Sequence, residues 1–125
     1  MVNVIEKTVP FELNGRTYQL KSTWNVELEI MERFGENPLD LKNESTKESM
    51  AKIISLLTIF VNEAVDIHND SEAEKWDYVE ERYVGRYISV YDFAKILNVV
   101  ADVFSLSRPA PSGEDDEKNK TAPQA

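Results

Sequence analysis

Hydrophobic and polar residues alternate along two short segments near the N-terminus, VPFEL at 9–13 and RTYQL at 16–20. Between them lies Asn14-Gly15, a pair typical of a two-residue turn in which both positions need a positive φ. Pairing outward from the turn places on one face the pairs Leu13–Arg16, Phe11–Tyr18 and Val9–Leu20. A two-stranded ribbon is not stable alone. We therefore predict a β-hairpin whose apolar face packs on another element.

The next segment has apolar residues at helical spacing. Ser22 or Thr23 can cap its N-terminus, and Gly35 can end it in a left-handed conformation. Two apolar stripes run along it, Trp24, Leu28 and Met31 in one, and Val26, Ile30 and Phe34 in the other. The caps and the spacing predict a helix.

A longer apolar pattern follows STKE at 45–48, which has the spacing of a capping box. The residues at helical spacing are Met50, Ile53, Ile54, Leu57, Phe60, Val61, Ala64 and Val65. Leu56 and Ile59 widen this arc beyond one stripe. Such a helix is either the central element of the domain or has one flank against another protein chain. In the second case, we expect Leu56, Ile59 and Phe60 to bind the partner.

Two further helices are predicted. SEAE at 71–74 has capping-box spacing and would begin a helix with Trp76, Val79 and Tyr83 inward, ended by Gly85. Ser89 would begin the last helix. Its apolar face would contain Val90, Phe93, Ala94, Leu97, Val100, Ala101 and Phe104.

The composition changes at Ser107, after which prolines, small polar residues and charges occur without a large apolar side chain. Such a segment cannot offset its ordering entropy. We predict a folded domain over 1–106 and a disordered acidic tail over 107–125. The domain is expected to be α+β and predominantly helical, with the hairpin packed on a bundle of about four α-helices. The expected core residues are Trp24, Phe34, Leu57, Phe60, Trp76, Leu97 and Phe104.

The composition excludes several classes of function. The 125 residues contain no cysteine, no apolar run long enough to span a membrane and no N-terminal signal pattern, which predicts a cytoplasmic protein. The formal charge of −9 opposes binding to nucleic acid, because such binding needs lysines and arginines that displace counterions. No membrane or nucleic acid partner is expected.

No catalytic constellation is visible in the sequence. The single histidine, His68, lies beside Asp66 and Asp70 at the expected end of the long helix, where a polar or cationic residue is common. The alternative, a general base or metal ligand, has no supporting cluster. The aromatic residues from Trp76 to Tyr91 could form a stacking platform for bases, but we expect no basic groove around them and therefore predict core packing or a protein interface. We predict no enzyme, no cofactor and no metal site.

The stretch FELNGRTYQLKSTWNVELEIMERFG, at 11–35, resembles the tail assembly chaperones of long-tailed bacteriophages and prophages of Gram-positive hosts. The likeness consists of a short strand, an NG turn followed by a basic residue, a YQLK strand and a helix ending in ERFG. It extends more loosely to the later helices and the acidic tail. Trp24 departs from the family pattern.

The resemblance implies a function in virion assembly. Such chaperones bind the long tape-measure protein, keep it soluble and help to recruit tail-tube subunits, and they are absent from the finished tail. The implied partners are therefore the tape-measure protein and the tail-tube protein, in the host cytoplasm. We also expect a homo-oligomer, because the long helix has more apolar surface than short neighbours can cover.

Two other classes of function stay open on the sequence. A structural tail or connector component would be found in purified virions. An acidic inhibitor or antitoxin-like module would bind a basic site on its target, with an affinity that falls steeply with salt.

Overall fold

The computed structural model describes residues 7–107 and has the predicted α+β architecture, with a hairpin packed on four α-helices. The elements in order are β1 (Val9–Leu13), β2 (Arg16–Leu20), α1 (Trp24–Phe34), α2 (Thr46–Ser71), α3 (Glu81–Arg86), a 3-10 turn (Val90–Asp92) and α4 (Phe93–Ser107). The predicted tail lies outside the described residues, apart from Ser107.

The hairpin has the predicted register. Val9 pairs with Leu20, Phe11 with Tyr18 and Leu13 with Arg16. The turn residues take the left-handed region, Asn14 at φ 50° and Gly15 at φ 84°. The apolar face is buried, with β2 against α2 and β1 against α4.

The central element of the domain is α2. This is one of the two alternatives that its wide apolar arc predicts. It begins at the predicted capping box, where the Glu48 N–H donates to Ser45 Oγ at 3.1 Å and the Ser45 N–H donates to Glu48 Oε1 at 2.9 Å. Every residue from 55 to 61 is buried, so this part of the helix is covered on all sides. The hairpin, α1, α3 and α4 all contact it.

The segment from 72 to 80, which we call the strap, is not the predicted helix. Helix α2 continues to Ser71 and the strap has no regular helix; α3 begins only at Glu81 and contains Gly85. The predicted capping box at 71–74 is therefore wrong. The reason is tertiary, since side chains of α2 take the backbone groups that a strap helix would need for its own hydrogen bonds.

Two asparagines of α2 hold the strap. Asn62 Nδ2 donates to the Val79 carbonyl at 2.9 Å, and the Val79 N–H donates to Asn62 Oδ1 at 2.8 Å. Asn69 makes the same pair of bonds with Trp76, at 3.0 and 2.8 Å. Seven helical residues rise about 10.5 Å, and three extended residues span about 10 Å. The strap therefore runs antiparallel to α2. The distance between the two asparagines matches the distance between Trp76 and Val79, so each asparagine can bond to the backbone of one strap residue.

The predicted core is confirmed in part. Leu57, Phe60 and Phe104 are buried, and Phe34, Trp76 and Leu97 are partly buried against the core. Trp24 is exposed, so its prediction is wrong.

The buried face of α4 also differs from the prediction. The 3-10 turn precedes the helix, and Val90 and Ala94 are exposed. The fully buried positions are Ile96, Val100, Val103 and Phe104. The inward stripe is thus rotated toward the larger apolar side chains, which bury more area than alanine.

We predict that Asn62→Ala and Asn69→Ala each lower the free energy of unfolding by about 1–3 kcal/mol, because each leaves a strap amide without its partners. Urea denaturation measures this. Asn98→Ala, at an exposed position of α4, is the control and should change stability by less than about 0.5 kcal/mol. If the two strap variants match the control, the asparagines do not hold the strap.

The pH dependence of Tyr78 gives a second test of the strap. Its hydroxyl donates to Asp66 Oδ1 at 2.5 Å. This hydrogen bond, together with the negative charge of Asp66, raises the pKa of Tyr78 above its ordinary value. The raised pKa stabilises the fold below the ordinary tyrosine pKa, and this contribution is lost as the pH rises through the folded-state pKa. Asp66→Asn should therefore lower the pKa of Tyr78, as measured by phenolate absorbance with Tyr78→Phe as the blank. An unchanged pKa would contradict the contact.

Candidate interaction surface

The residues predicted to bind a partner lie in the core. Leu56, Ile59 and Phe60 are 0%, 7% and 0% exposed, and the Phe60 ring packs edge-on against Phe104 with centroids 5.3 Å apart. The wide apolar arc of α2 is covered by the chain's own hairpin and helices. Contact between these three residues and a partner would require the core to open, so an accessible surface must lie elsewhere.

Exposed apolar side chains form a row on α1. Trp24, Leu28 and Met31 are 81%, 50% and 42% exposed. Their spacing of four and three residues places them within about 60° on a helix that turns 100° per residue. We call these three residues the α1 stripe.

The opposite side of α1 faces the core. Val26 and Ile30 are buried there, against the covered part of α2. Since a helix packed on one core buries one apolar stripe, the second stripe of α1 is left in solvent. The sequence shows both stripes, but its periodicity does not decide which one faces inward.

Both ends of α1 are fixed by hydrogen bonds. The Val26 N–H donates to the Thr23 hydroxyl at 3.3 Å, and the Gly35 N–H donates to the Met31 carbonyl at 2.9 Å. Gly35 has φ 79°, where a side chain would be strained. The α1 stripe therefore lies on a helix whose two ends are stabilised by hydrogen bonds.

The surroundings of the stripe are acidic. Glu27 and Glu32 of α1 lie on either side of it. The single arginine of α1, Arg33, lies on the far side of the helix, where it pairs with Glu29 and with Glu81 of α3, both at 3.5 Å. Apolar contacts at the centre with carboxylates at the margin suit a partner helix with an apolar face and basic flanks.

A second group of exposed apolar side chains lies between α3 and the start of α4. Tyr87, Val90 and Tyr91 are all exposed. Val90 also borders a small groove of about 170 Å³. These three residues do not lie on one α-helix. They are therefore less suited than the α1 stripe to contact the apolar face of a partner helix.

His68 has a structural role in the described chain. Its ring stacks on Trp76 with centroids 3.5 Å apart, and its Nε2 lies 2.8 Å from the Glu74 carbonyl. A carbonyl only accepts, so Nε2 carries the hydrogen. Within residues 7–107 no group of three or more histidine, aspartate or glutamate side chains is placed to hold a metal ion.

Comparison with known proteins found no matching family model, no matching curated protein and no matching solved structure. None of the helices between residues 7 and 107 is both long enough and apolar enough to cross a membrane.

Because Trp24 is exposed, we predict that Trp24→Ala changes the free energy of unfolding by less than about 0.5 kcal/mol. Phe60→Ala, in contrast, should cost about 3–5 kcal/mol because it leaves a cavity in the core. Chemical denaturation of both variants measures the difference. A large loss of stability in the Trp24 variant would mean that the α1 stripe is part of the core rather than a free surface.

Proposed function

We propose that this protein is a tail assembly chaperone of a long-tailed phage or prophage of a Gram-positive host. It binds the tape-measure protein in the host cytoplasm, keeps it soluble and helps to recruit tail-tube subunits. The observation behind this proposal is that the stretch resembling such chaperones, at 11–35, folds into the hairpin and α1, and α1 presents an exposed apolar stripe.

The stripe suits a long apolar helix as its target. The anchors of an amphipathic helix pair recur at spacings of three and four residues, and Trp24, Leu28 and Met31 have this spacing. Tape-measure proteins, as the resemblance implies, present helical apolar stretches of this kind. The stripe would cover one short length of such a helix, and further copies would cover the rest.

The size of the stripe predicts weak binding by each copy. Burying three large apolar side chains gains on the order of 5 kcal/mol, which is comparable to the lower estimates for the cost of association. Interfaces this small belong to transient complexes. A weak contact repeated along one target can hold many copies at once and still allow each to leave when tube subunits arrive.

The homo-oligomer remains a prediction, but the apolar surface of α2 does not support it. That surface is covered by the hairpin, α1, α3 and α4. The exposed group at Tyr87, Val90 and Tyr91 is then a candidate surface for self-association.

Co-expression tests the proposal. The family places the tape-measure gene immediately downstream, so the coding sequence there should encode a very long helical protein. We expect the wild-type chain to keep that protein soluble and the W24S/L28S/M31S variant to lose this activity. Both chains should show the same circular dichroism, because the substituted side chains are exposed.

The matched control is Y87S/V90S/Y91S, which removes the exposed apolar side chains between α3 and α4. This variant should retain the activity, and binding by the wild type should persist at high salt because the contact is apolar. Absence of a long helical coding sequence downstream, or equal activity of the stripe and control variants, would refute the proposal. Steep loss of binding with salt would favour the inhibitor class instead.

Mass spectrometry of purified virions separates a chaperone from a structural component. A chaperone that leaves before the tail is complete should be absent from the particles. Detection of the chain at the stoichiometry of a tail protein would favour the structural class.

A further inference from the structure

A cleft with basic walls lies between β2, the strap and α3. Its volume is about 520 Å³, and four cationic side chains line it, Arg16, Lys75, Arg82 and Arg86. Two carboxylates, Asp77 and Glu80, also line it, which leaves a local excess of two positive charges in a chain of formal charge −9. We call this feature the basic cleft. The expectation that no basic groove surrounds Trp76 is therefore wrong, because the fold brings together cations that are far apart in the sequence.

Two of the cations have fixed positions. The Arg16 guanidinium lies over the Trp76 ring, 4.4 Å from its centroid. Lys75 Nζ donates to the carbonyls of Asn69 and Glu72, at 2.6 and 2.8 Å, beside the C-terminus of α2. These contacts form one wall of the cleft before any ligand binds.

The other two cations are without partners among residues 7–107. Arg82 and Arg86 are four residues apart on α3 and therefore lie on the same side of it. Neither makes an ion pair or a hydrogen bond with a described residue, whereas Arg33 and Lys52 each have a carboxylate partner. Acidic residues outnumber basic ones by 23 to 14 in this chain, so two unpaired arginines in one cleft indicate a site for an anionic group.

We propose that the basic cleft binds a run of carboxylates, and that its occupant is the acidic segment Glu114–Glu117 of the same chain. This segment has the sequence EDDE and begins seven residues after Ser107, the last residue of α4. Guanidinium groups bind carboxylates in a bidentate geometry that suits such a segment. The proposal does not depend on the function proposed above.

The length of the intervening chain allows this contact. At 3.3–3.6 Å per residue, Glu114 can reach about 25 Å from Ser107 and Glu117 about 35 Å. A domain of about 100 residues has a radius of gyration of about 13 Å, so the reach is similar to the domain's diameter. Exposed ion pairs are individually weak, but a tether raises the local concentration of the segment.

The test uses the full chain in a Trp24→Phe background, so that Trp76 is its single tryptophan. The tail-neutral variant E114Q/D115N/D116N/E117Q should shift the Trp76 emission and the amide resonances of the strap and α3. Raising the ionic strength should produce the same shifts in the parent chain and none in the tail-neutral variant.

Two paired variants locate the contact. In R82Q/R86Q, neutralising the tail should cause no further shift, whereas in K42Q/K47Q, which removes equal charge at exposed positions elsewhere, the full shift should remain. A synthetic peptide of residues 108–125 should bind the tail-neutral variant. Its affinity should fall at least tenfold when R82Q/R86Q is added to that variant.

Four results would overturn the proposal. The first is identical spectra of the parent and tail-neutral chains at low salt. The second is a shift that disappears on dilution, because the occupant would then be a second copy. The third is equal peptide binding by the R82Q/R86Q and K42Q/K47Q variants. A single-stranded oligonucleotide that binds the cleft in the parent chain and displaces the tail at equimolar concentration would assign the cleft to nucleic acid instead.

Discussion

Complete burial of the middle of α2 is the constraint on which the rest of the structure depends. A helix in which every residue from 55 to 61 is buried must be enclosed on all sides, and one short helix cannot do this. The hairpin supplies Phe11, Leu13, Tyr18 and Leu20, α1 and α4 supply further apolar stripes, and the strap covers the remaining flank. The two polar side chains in the buried run are satisfied, since Ser55 donates to Glu81 and Thr58 to the Ile54 carbonyl.

Much of the fold was predictable because its signals are local. The Asn14-Gly15 turn determines the hairpin register, and the Ser45–Glu48 box determines where α2 begins. The equivalent signal at 71–74 failed because α2 extends through Ser71 and its asparagines bind the strap backbone. A capping pattern reports what a segment favours in isolation. It does not show whether side chains of another element bind the same backbone groups. Here Asn62 and Asn69 bind the backbone of the strap, which therefore forms no helix.

The two candidate surfaces were less predictable, for different reasons. The α1 stripe is visible in the sequence, but its periodicity does not show that Trp24 faces outward, and tryptophan is highly buried on average. Its outward position follows from the tertiary fit of Val26 and Ile30 against α2. The cations of the basic cleft span positions 16 to 86. No periodicity relates them, so only the fold brings them together.

The charges around the α1 stripe bear on its specificity. An exposed apolar row is a site for unwanted self-association. Two copies that met stripe to stripe would bring Glu27 and Glu32 of each close to those of the other, and the formal charge of −9 on each chain adds to this repulsion. Such repulsion works against a homo-oligomer formed through the stripe, yet it does not oppose a target helix with basic or neutral flanks. Apolar contact thus supplies the affinity, while the acidic margin discriminates between a partner and a second copy.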